Sequence, residues 1–319
     1  MLDKKKYIES VPEIHDELLK HFSPEQSMVI IDAGACEGED SIRYGKLFPN
    51  ARIFSFEPHP ENVSRFRKNL KEYPNPNITI VTKALSNKSG RIKLYVSSGS
   101  PPNSKNSENW DYGNKSHSIL QPEKVTEFYP WLKFEETIDV DVITLSSYLL
   151  SNKIETVDFL HADIQGAEKL MLEGLGFYIH KLKCIWIEAS NLQLYKNQIL
   201  KDDLIKFLSN KGFCLQKDTT GKVDGDLFFV RDPQISKNTT QKRILNKFFR
   251  RLYFKENDNY KSFSQSGEDR IIKHLFEIVG INKPSYIDIG AFHPQKLNNT
   301  YLFYLTGSRG LNIEPNPSA

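Results

Sequence analysis

Apolar runs alternate with amphipathic stretches along the first two thirds of the chain. Residues 28–32 (M-V-I-I-D) and 51–57 (A-R-I-F-S-F-E) read as strands, with a return helix over 40–48 between them. Residues 60–73 carry Val63, Phe66 and Leu70 at spacings of three and four, which predicts a helix ended by P-N-P-N at 74–77. A third strand follows over 77–81. Residues 91–96 and 138–143 alternate polar and apolar positions and read as half-exposed strands, the second followed by a short helix over 145–150. Strands at 156–163 and 182–188 are separated by a turn and a helix, and 202–210 is a further helix. The last two strands, 213–216 and 226–231, are joined by the turn-rich T-T-G-K-V-D-G, too short for a helical crossover, so they pair antiparallel. Near the start, S-V-P-E at 10–13 has the form of a capping box and predicts a short helix presenting Ile14, Leu18 and Leu19. The pattern is that of an α/β domain over 1–232, a mostly parallel sheet closed by an antiparallel pair.

Residues 233–260 break the pattern. S-K-N-T-T-Q is linker-like, and 241–255 set Ile244, Leu245, Phe248, Phe249 and Leu252 on one helical stripe among Lys and Arg. Such a basic amphipathic helix can touch an anionic membrane surface or pack on a neighbouring domain. Beyond it, Y-I-D-I-G-A at 286–291 echoes I-I-D-A-G-A at 30–35, and N-I-E-P-N-P at 312–317 echoes S-F-E-P-H-P at 55–60. Asp32 to Glu57 spans 25 positions and Asp288 to Glu314 spans 26. Residues 261–319 therefore read as the N-terminal part of a second domain of the same kind, truncated at Ala319, with Pro294 where Gly38 would fall.

Composition narrows the class. With 39% hydrophobic and 26% charged residues the chain is neither disordered nor fibrous. A net charge of 43 − 40 = +3 gives no reason to expect a nucleic-acid partner. Three cysteines, odd in number and without C-x-x-C spacing, suggest neither a disulfide framework nor a zinc site, and no metal is expected. No segment has signal-peptide or membrane-spanning character, so the expected location is the cytoplasm.

Candidate chemistry sits at strand ends. A strand, a glycine turn, a helix and a strand ending in an acid form an adenosine-type pocket, with the acid on the ribose hydroxyls. Asp32, Gly34, Gly38 and Glu57 are the cofactor-binding candidates; the structural alternative is a tight turn with Glu57 in solvent. A dinucleotide needs a small residue two places after the first glycine, where its pyrophosphate approaches the backbone. Here that residue is Cys36, which favours S-adenosylmethionine, a cofactor with no phosphate. Asp163 ends a buried strand on the same sheet edge and can hold an acceptor hydroxyl or take its proton. His161, two residues earlier, and Glu188, at the end of the next strand, are further catalytic candidates. Their alternatives are a helix cap for Asp163 and a bonded core histidine for His161. The polar stretch 97–130, with Trp110, Tyr112, His117, Tyr129 and Trp131, is the candidate lid and acceptor surface, unless its aromatics only pin it to the domain.

Taken together, I-D-A-G-A-x-E-G, F-S-F-E-P-H-P, A-L-S-N-K-S-G at 84–90 and H-A-D-I-Q-G-A-E-K-L-M-L-E-G resemble the FkbM-type methyltransferases over roughly 28–231. The C-terminal piece looks like the start of another branch of that family. The resemblance implies a Rossmann-like class I methyltransferase fold, with a mostly parallel seven-stranded sheet and an antiparallel C-terminal strand. It also implies S-adenosylmethionine-dependent O-methylation of a hydroxyl, on a sugar of a glycan or glycan precursor. By position, Asp32, Gly34, Gly38 and Glu57 match the cofactor motifs, and Asp163, Gln165, Gly166 and Glu168 match the D-x-[EQ]-G-x-E signature. His161 stands where many members have lysine. The rival readings are an inactive cofactor-binding module supporting a second methyltransferase domain, and an NAD-dependent oxidoreductase.

Overall fold

The computed structural model describes residues 3–102 and 113–232, together with parts of 263–314. Two compact units divide at residue 242. The helix expected over 241–255, Trp110 and Tyr112 of the expected lid, and Pro294 all lie outside the described residues.

The first unit is built on a seven-stranded sheet. In chain order its strands are β1 (Val29–Ala33), β2 (Arg52–Phe56), β3 (Ile78–Val81), β7 (Val157–Ala162), β8 (Leu182–Ser190), β9 (Phe213–Asp218) and β10 (Asp224–Arg231). Their spatial order is β3-β2-β1-β7-β8-β10-β9, with β10 antiparallel to both neighbours and the other pairs parallel. The order reverses between β1 and β7, where the strands' carboxyl ends open a crevice. Both faces are covered, which is why these strands read as near-continuous apolar runs. Ile31, Phe54, Leu160 and Ile185 join the core on one face. Ile30, Ile53, Phe159 and Trp186 join the core on the other.

The helices follow the pattern closely. α3 (Glu39–Leu47) returns β1 to β2, and α4 (Pro60–Glu72) follows β2 with Pro60 at its first position, where no N–H partner is lost. α6 (Leu145–Ser151) begins at a Thr144 hydroxyl that accepts from Ser147 N–H. α7 (Glu168–Gly174) and α8 (Lys201–Asn210) complete the crossovers.

Two regions depart from expectation. The N-terminus holds two short helices, α1 (Lys4–Glu9) and α2 (His15–Leu19), and Ser10 closes the first instead of capping the second. Its hydroxyl donates back to Tyr7 O at 2.7 Å, and the Arg43 guanidinium donates to Val11 O at 2.5 Å, so tertiary contacts override the local cap. A second, three-stranded sheet is also present: β4 (Ala84–Leu85), β6 (Lys133–Ile143) and β5 (Gly90–Ser98), in that order. The sequence shows β6 only over its C-terminal half, because K-F-E-E-T ahead of it is mostly exposed and has no apolar face to betray it. A one-turn helix, α5 (Val125–Phe128), precedes it.

Among its described residues, the second unit holds β11 (Tyr286–Ile289), α9 (Tyr301–Leu305) and β12 (Gly310–Ile313), with the two strands parallel. Ile287, Ile289, Leu311 and Ile313 are exposed.

Candidate active site

The cleft lies at the carboxyl ends of β1, β2 and β7, with about 520 Å³ of space counted out through its open mouth. After β1 the chain passes through Gly34 (φ 86°), Cys36 (φ 47°) and Gly38 (φ 80°) into α3. Gly34 N–H and Ala35 N–H both donate to Phe56 O at 3.0 Å, which ties the turn to the end of β2. A methyl group on Gly34 would lie 1.7 Å from the Asp163 carbonyl oxygen, so the glycine allows the β1 and β7 loops to touch. A methyl group on Gly38 would lie 1.9 Å from the Phe66 ring. The space left by Gly38 is thus taken by α4, whereas the sequence reading gave it to a ligand.

Glu57 follows β2 and faces the cleft. Its carboxylate accepts from His59 N–H at 2.7 Å and Cys36 N–H at 3.0 Å. Burial pushes its pKa up to about 8 against the pull of those donors. Asp32, by contrast, is fully buried beneath the turn, where it accepts from the Ser41 hydroxyl and pairs with His161 Nδ1 at 3.0 Å. Burial pulls the His161 imidazole down, but the hydrogen bond and charge of Asp32 outweigh it and lift the pKa to about 9. The pair with Asp32 holds His161 beneath the turn, off the cleft.

Asp163 lies just past β7 and lines the cleft, with its N–H bonded to Ala33 O at 3.0 Å. Its carboxylate accepts from Gln165 Nε2 at 2.7 Å, and the same amide reaches Glu188 at 3.1 Å. Gln165 sits at φ 53° and Gly166 at φ 95°, a strained turn that aims the Gln165 amide at both acids. Burial, then the charge of Asp163, push the Glu188 carboxyl well above the usual carboxylate range. Tyr195 OH donates to Gln165 Oε1 at 3.0 Å. Glu168 accepts from Ile164 N–H at 3.1 Å and Gly166 N–H at 3.2 Å and fixes the turn from below.

Of the seven site residues named from the sequence, the cleft is lined by Gly34, Glu57 and Asp163; Asp32, Gly38, His161 and Glu188 stand behind or beside it. His161 and Asp163 instead share a second, polar cavity with Glu13, Asp40, Trp186 and Asp226. The Asp226 carboxyl is raised to about 7 by burial and by Asp163. The expected lid divides. Asn114, Lys115, His117 and Ile119 line the cleft, while Tyr129 donates to Asp224 at 2.8 Å and packs with Trp131 near Tyr195. Asn62, Lys83 and Asn114 are cleft residues that sequence reasoning missed. Asn62 alone had a signal, its fixed place in the first turn after E-P-H-P. Among the described residues no cluster of three or more His, Cys, Asp or Glu side chains is placed to hold a metal ion.

The cleft's apolar walls (Phe56, Pro58, Leu85, Leu94), its strand-end acid and its side-chain-bearing turn suit a nucleoside without a pyrophosphate. Buried Asn114 Oδ1 and His117 Nε2 have no hydrogen-bond partner among the described residues, as expected of a wall that a polar ligand completes.

Fold and cleft together define a Rossmann-like class I methyltransferase. The methyltransferase FkbM domain model matches residues 32–215, more than half of the chain, and the chain belongs to that family. The 2-O-methyltransferase NoeI of Sinorhizobium fredii is 32% identical over 199 residues, 62% of this chain and 77% of that protein. The crystal structure of a methyltransferase FkbM from Methylobacillus flagellatus aligns over 71% of this chain with TM-score 0.42 and 17% identity. The chain spans 50% of that protein's length. Aeropyrum pernix fibrillarin with natively bound S-adenosyl-L-methionine aligns over 67% of this chain and 72% of its own, with TM-score 0.35 and 13% identity. Among the described residues no helix is long and apolar enough to cross a membrane.

Proposed function

We propose that the protein methylates a sugar hydroxyl of a glycan or glycan precursor, using S-adenosylmethionine. The carrying observation is that Asp163 lines both the cleft at the strand ends and a second, polar cavity. A donor in the first and an acceptor in the second meet at one carboxylate. The sugar reading is supported by the second cavity's polar chemistry, in which Glu13, Asp40 and Asp226 offer acceptors for hydroxyls. It is also supported by the relative described as a 2-O-methyltransferase.

In this reading Glu57 accepts from the ribose hydroxyls, and the Gly34 turn sets the backbone against which the donor rests. The cofactor supplies a methyl group already activated on a sulfonium, so the protein's contribution is alignment and exclusion of water. Asp163 orients the acceptor hydroxyl and takes its proton, held in place by the Gln165 amide. Glu188, whose carboxyl burial and the charge of Asp163 push upward, accepts from the same amide. Asp32 and His161 support the turn from beneath. The second unit, in the same reading, is a domain of the same kind as the first, on the echo of its strand, turn and strand-end acid.

Asp163→Ala tests the assignment. Methyl transfer to a glycan panel falls by about 10²- to 10⁴-fold while calorimetric affinity for S-adenosylhomocysteine stays within about threefold. Undiminished transfer removes Asp163 from the chemistry. Binding of NAD with no binding of S-adenosylhomocysteine overturns the cofactor reading.

A further inference from the structure

The polar cavity beside the cleft is lined by two side chains that are more than nine-tenths buried and keep an open polar end. Tyr44 is 2% exposed and His161 8%, with ring centroids 5.6 Å apart in an edge-to-face pair. His161 Nδ1 is spent on Asp32 Oδ1 at 3.0 Å, and a carboxylate only accepts, so Nδ1 carries the proton of that bond. Asp32 is fully buried and also takes the Ser41 hydroxyl, which fixes the ring from behind. Nε2, across the ring from Nδ1, bonds nothing among the described residues, yet it is not sealed off from the cavity. The Tyr44 hydroxyl stands the same way. Polar ends of buried side chains rarely go without partners, and a cavity that offers two of them is built to meet polar groups.

The walls select the class of group. Asp40, Asp163 and Asp226 share the cavity, so an anionic group meets like charge there. A hydroxyl donates and accepts at once: it can give its proton to a carboxylate, and it satisfies Nε2 in either protonation state of the ring. Spacing then selects a pair of hydroxyls. His161 lies in β7 and Asp163 just past its end, two residues on. Alternate residues of a strand project to one face about 6–7 Å apart, and these two line the same cavity. One oxygen cannot bridge that span with two hydrogen bonds of about 2.7 Å, whereas two oxygens on adjacent carbons can.

We propose that His161 Nε2 binds a second hydroxyl of the acceptor, on the carbon next to the one that is methylated, so that the acceptor is a vicinal diol. This rests on the sugar-methylation reading and deepens it, making His161 a specificity-determining residue of the same site. In the transfer the first oxygen gives its proton to Asp163 and forms the new bond to the methyl carbon, while the sulfonium carbon–sulfur bond breaks and its electron pair returns to sulfur. The second hydroxyl is chemically unchanged. Held by His161, it sets the direction from which the first oxygen meets the methyl group.

The test is transfer of labelled methyl from S-adenosylmethionine, by the whole chain, to methyl pyranosides of gluco, galacto and manno configuration and their 6-deoxy counterparts. NMR of the product locates the methylated oxygen, and the substrate lacking each neighbouring hydroxyl is then compared with its parent. Loss of the hydroxyl that His161 binds lowers kcat/KM by about 10- to 100-fold, mainly through KM. In His161→Phe parent and deoxy acceptors are used within about threefold of each other, because the reading atom is gone. His161→Gln, whose amide can meet a hydroxyl, keeps at least about fivefold preference, which separates lost chemistry from lost packing. Should His161→Phe not fold, the comparison of parent and deoxy acceptors in the unmutated protein decides by itself. Equal use of the two by the unmutated protein, or full preference kept in His161→Phe, overturns the proposal and leaves the sugar reading standing. Methylation of none of the pyranosides overturns the sugar reading, and this proposal with it.

Discussion

The turn after β1 and the turn after β11 have nearly the same backbone. Gly34 sits at φ 86° and Gly290 at φ 80°. Gly34 and Ala35 N–H donate to Phe56 O at 3.0 Å each, and Gly290 and Ala291 N–H donate to Ile313 O at 2.7 and 3.4 Å. Register pairs Asp32 with Ser55 and Asp288 with Asn312. In each copy a hydroxyl bridges that pair, Ser41 in the first and Thr300 in the second. The surroundings differ. A methyl group on Gly34 would strike the Asp163 carbonyl, whereas one on Gly290 would meet nothing within 4 Å among the described residues. β1 is sandwiched between β2 and β7, with Ile30 and Ile31 buried; Ile287 and Ile289 are exposed. The strand–turn–helix–strand pattern thus encodes a backbone shape that recurs wherever the pattern recurs. The site needs the next strand as well, because β7 brings Asp163, Gln165 and the carbonyl that the glycine accommodates.

The largest effect that would sharpen this contrast comes from alanine at the two glycines. Gly34→Ala must separate the β1 and β7 loops and costs on the order of 4 kcal/mol or more. Gly290→Ala pays only left-handed backbone strain, about 1–2 kcal/mol. Hydrogen exchange resolved by peptide reads both: broad deprotection across 29–33 and 157–162 in the first variant, local change in the second. Equal effects would mean that the two turns are equivalent after all.

Next is the ion pair that the first copy has beneath its turn. His161→Ala leaves Asp32 buried without its counter-charge and costs about 3–5 kcal/mol in urea unfolding. Thr300→Val, which removes a neutral hydroxyl from the second copy, costs about 1–2 kcal/mol. The His161 pKa is raised in the folded state from 6.5 to about 9. Its contribution is therefore complete below pH 6.5 and lost as pH rises towards 9, and His161→Ala should remove that part of the pH slope. An unchanged slope would show that the ring is not charged in the native state.

The smallest effect concerns the two strand-end acids. With Glu57 raised to about 8 and ribose hydroxyls donating best to the ionised carboxylate, S-adenosylhomocysteine affinity should strengthen as pH rises from 6 to 8 and then level off. Glu57→Gln should bind more weakly with a flat profile, and Glu314→Gln should leave both affinity and profile unchanged. A pH-independent affinity in the unmutated protein would move the ribose contact away from Glu57.

Much of this was legible in the residues themselves. Buried parallel strands announce themselves as apolar runs, proline marks the start of α4, and a loop too short for a crossover forces β9 and β10 antiparallel. The repeat was visible because glycine and acid recur at matched spacing. The small sheet of β4, β5 and β6 was half hidden, since an exposed strand carries no core-facing period. Within the site, the motif drew attention to Asp32 and Gly38, but both are used inside the protein, one on His161 and Ser41, the other against Phe66. His117 was marked in the residues as part of the expected lid and does line the cleft, whereas Asn114 beside it had no signal of its own, because an amide's place in a wall depends on neighbours distant in the chain.

The sequence by itself determined the strand–turn–helix–strand unit, its two copies and the acid at the end of each, because backbone shape follows from local periodicity and from residues tolerant of positive φ. Tertiary structure alone decided that the first copy's turn closes against β7 to form a cleft and which side chains line it. That choice depends on a strand more than a hundred residues away, and on burial that removes water as the alternative partner.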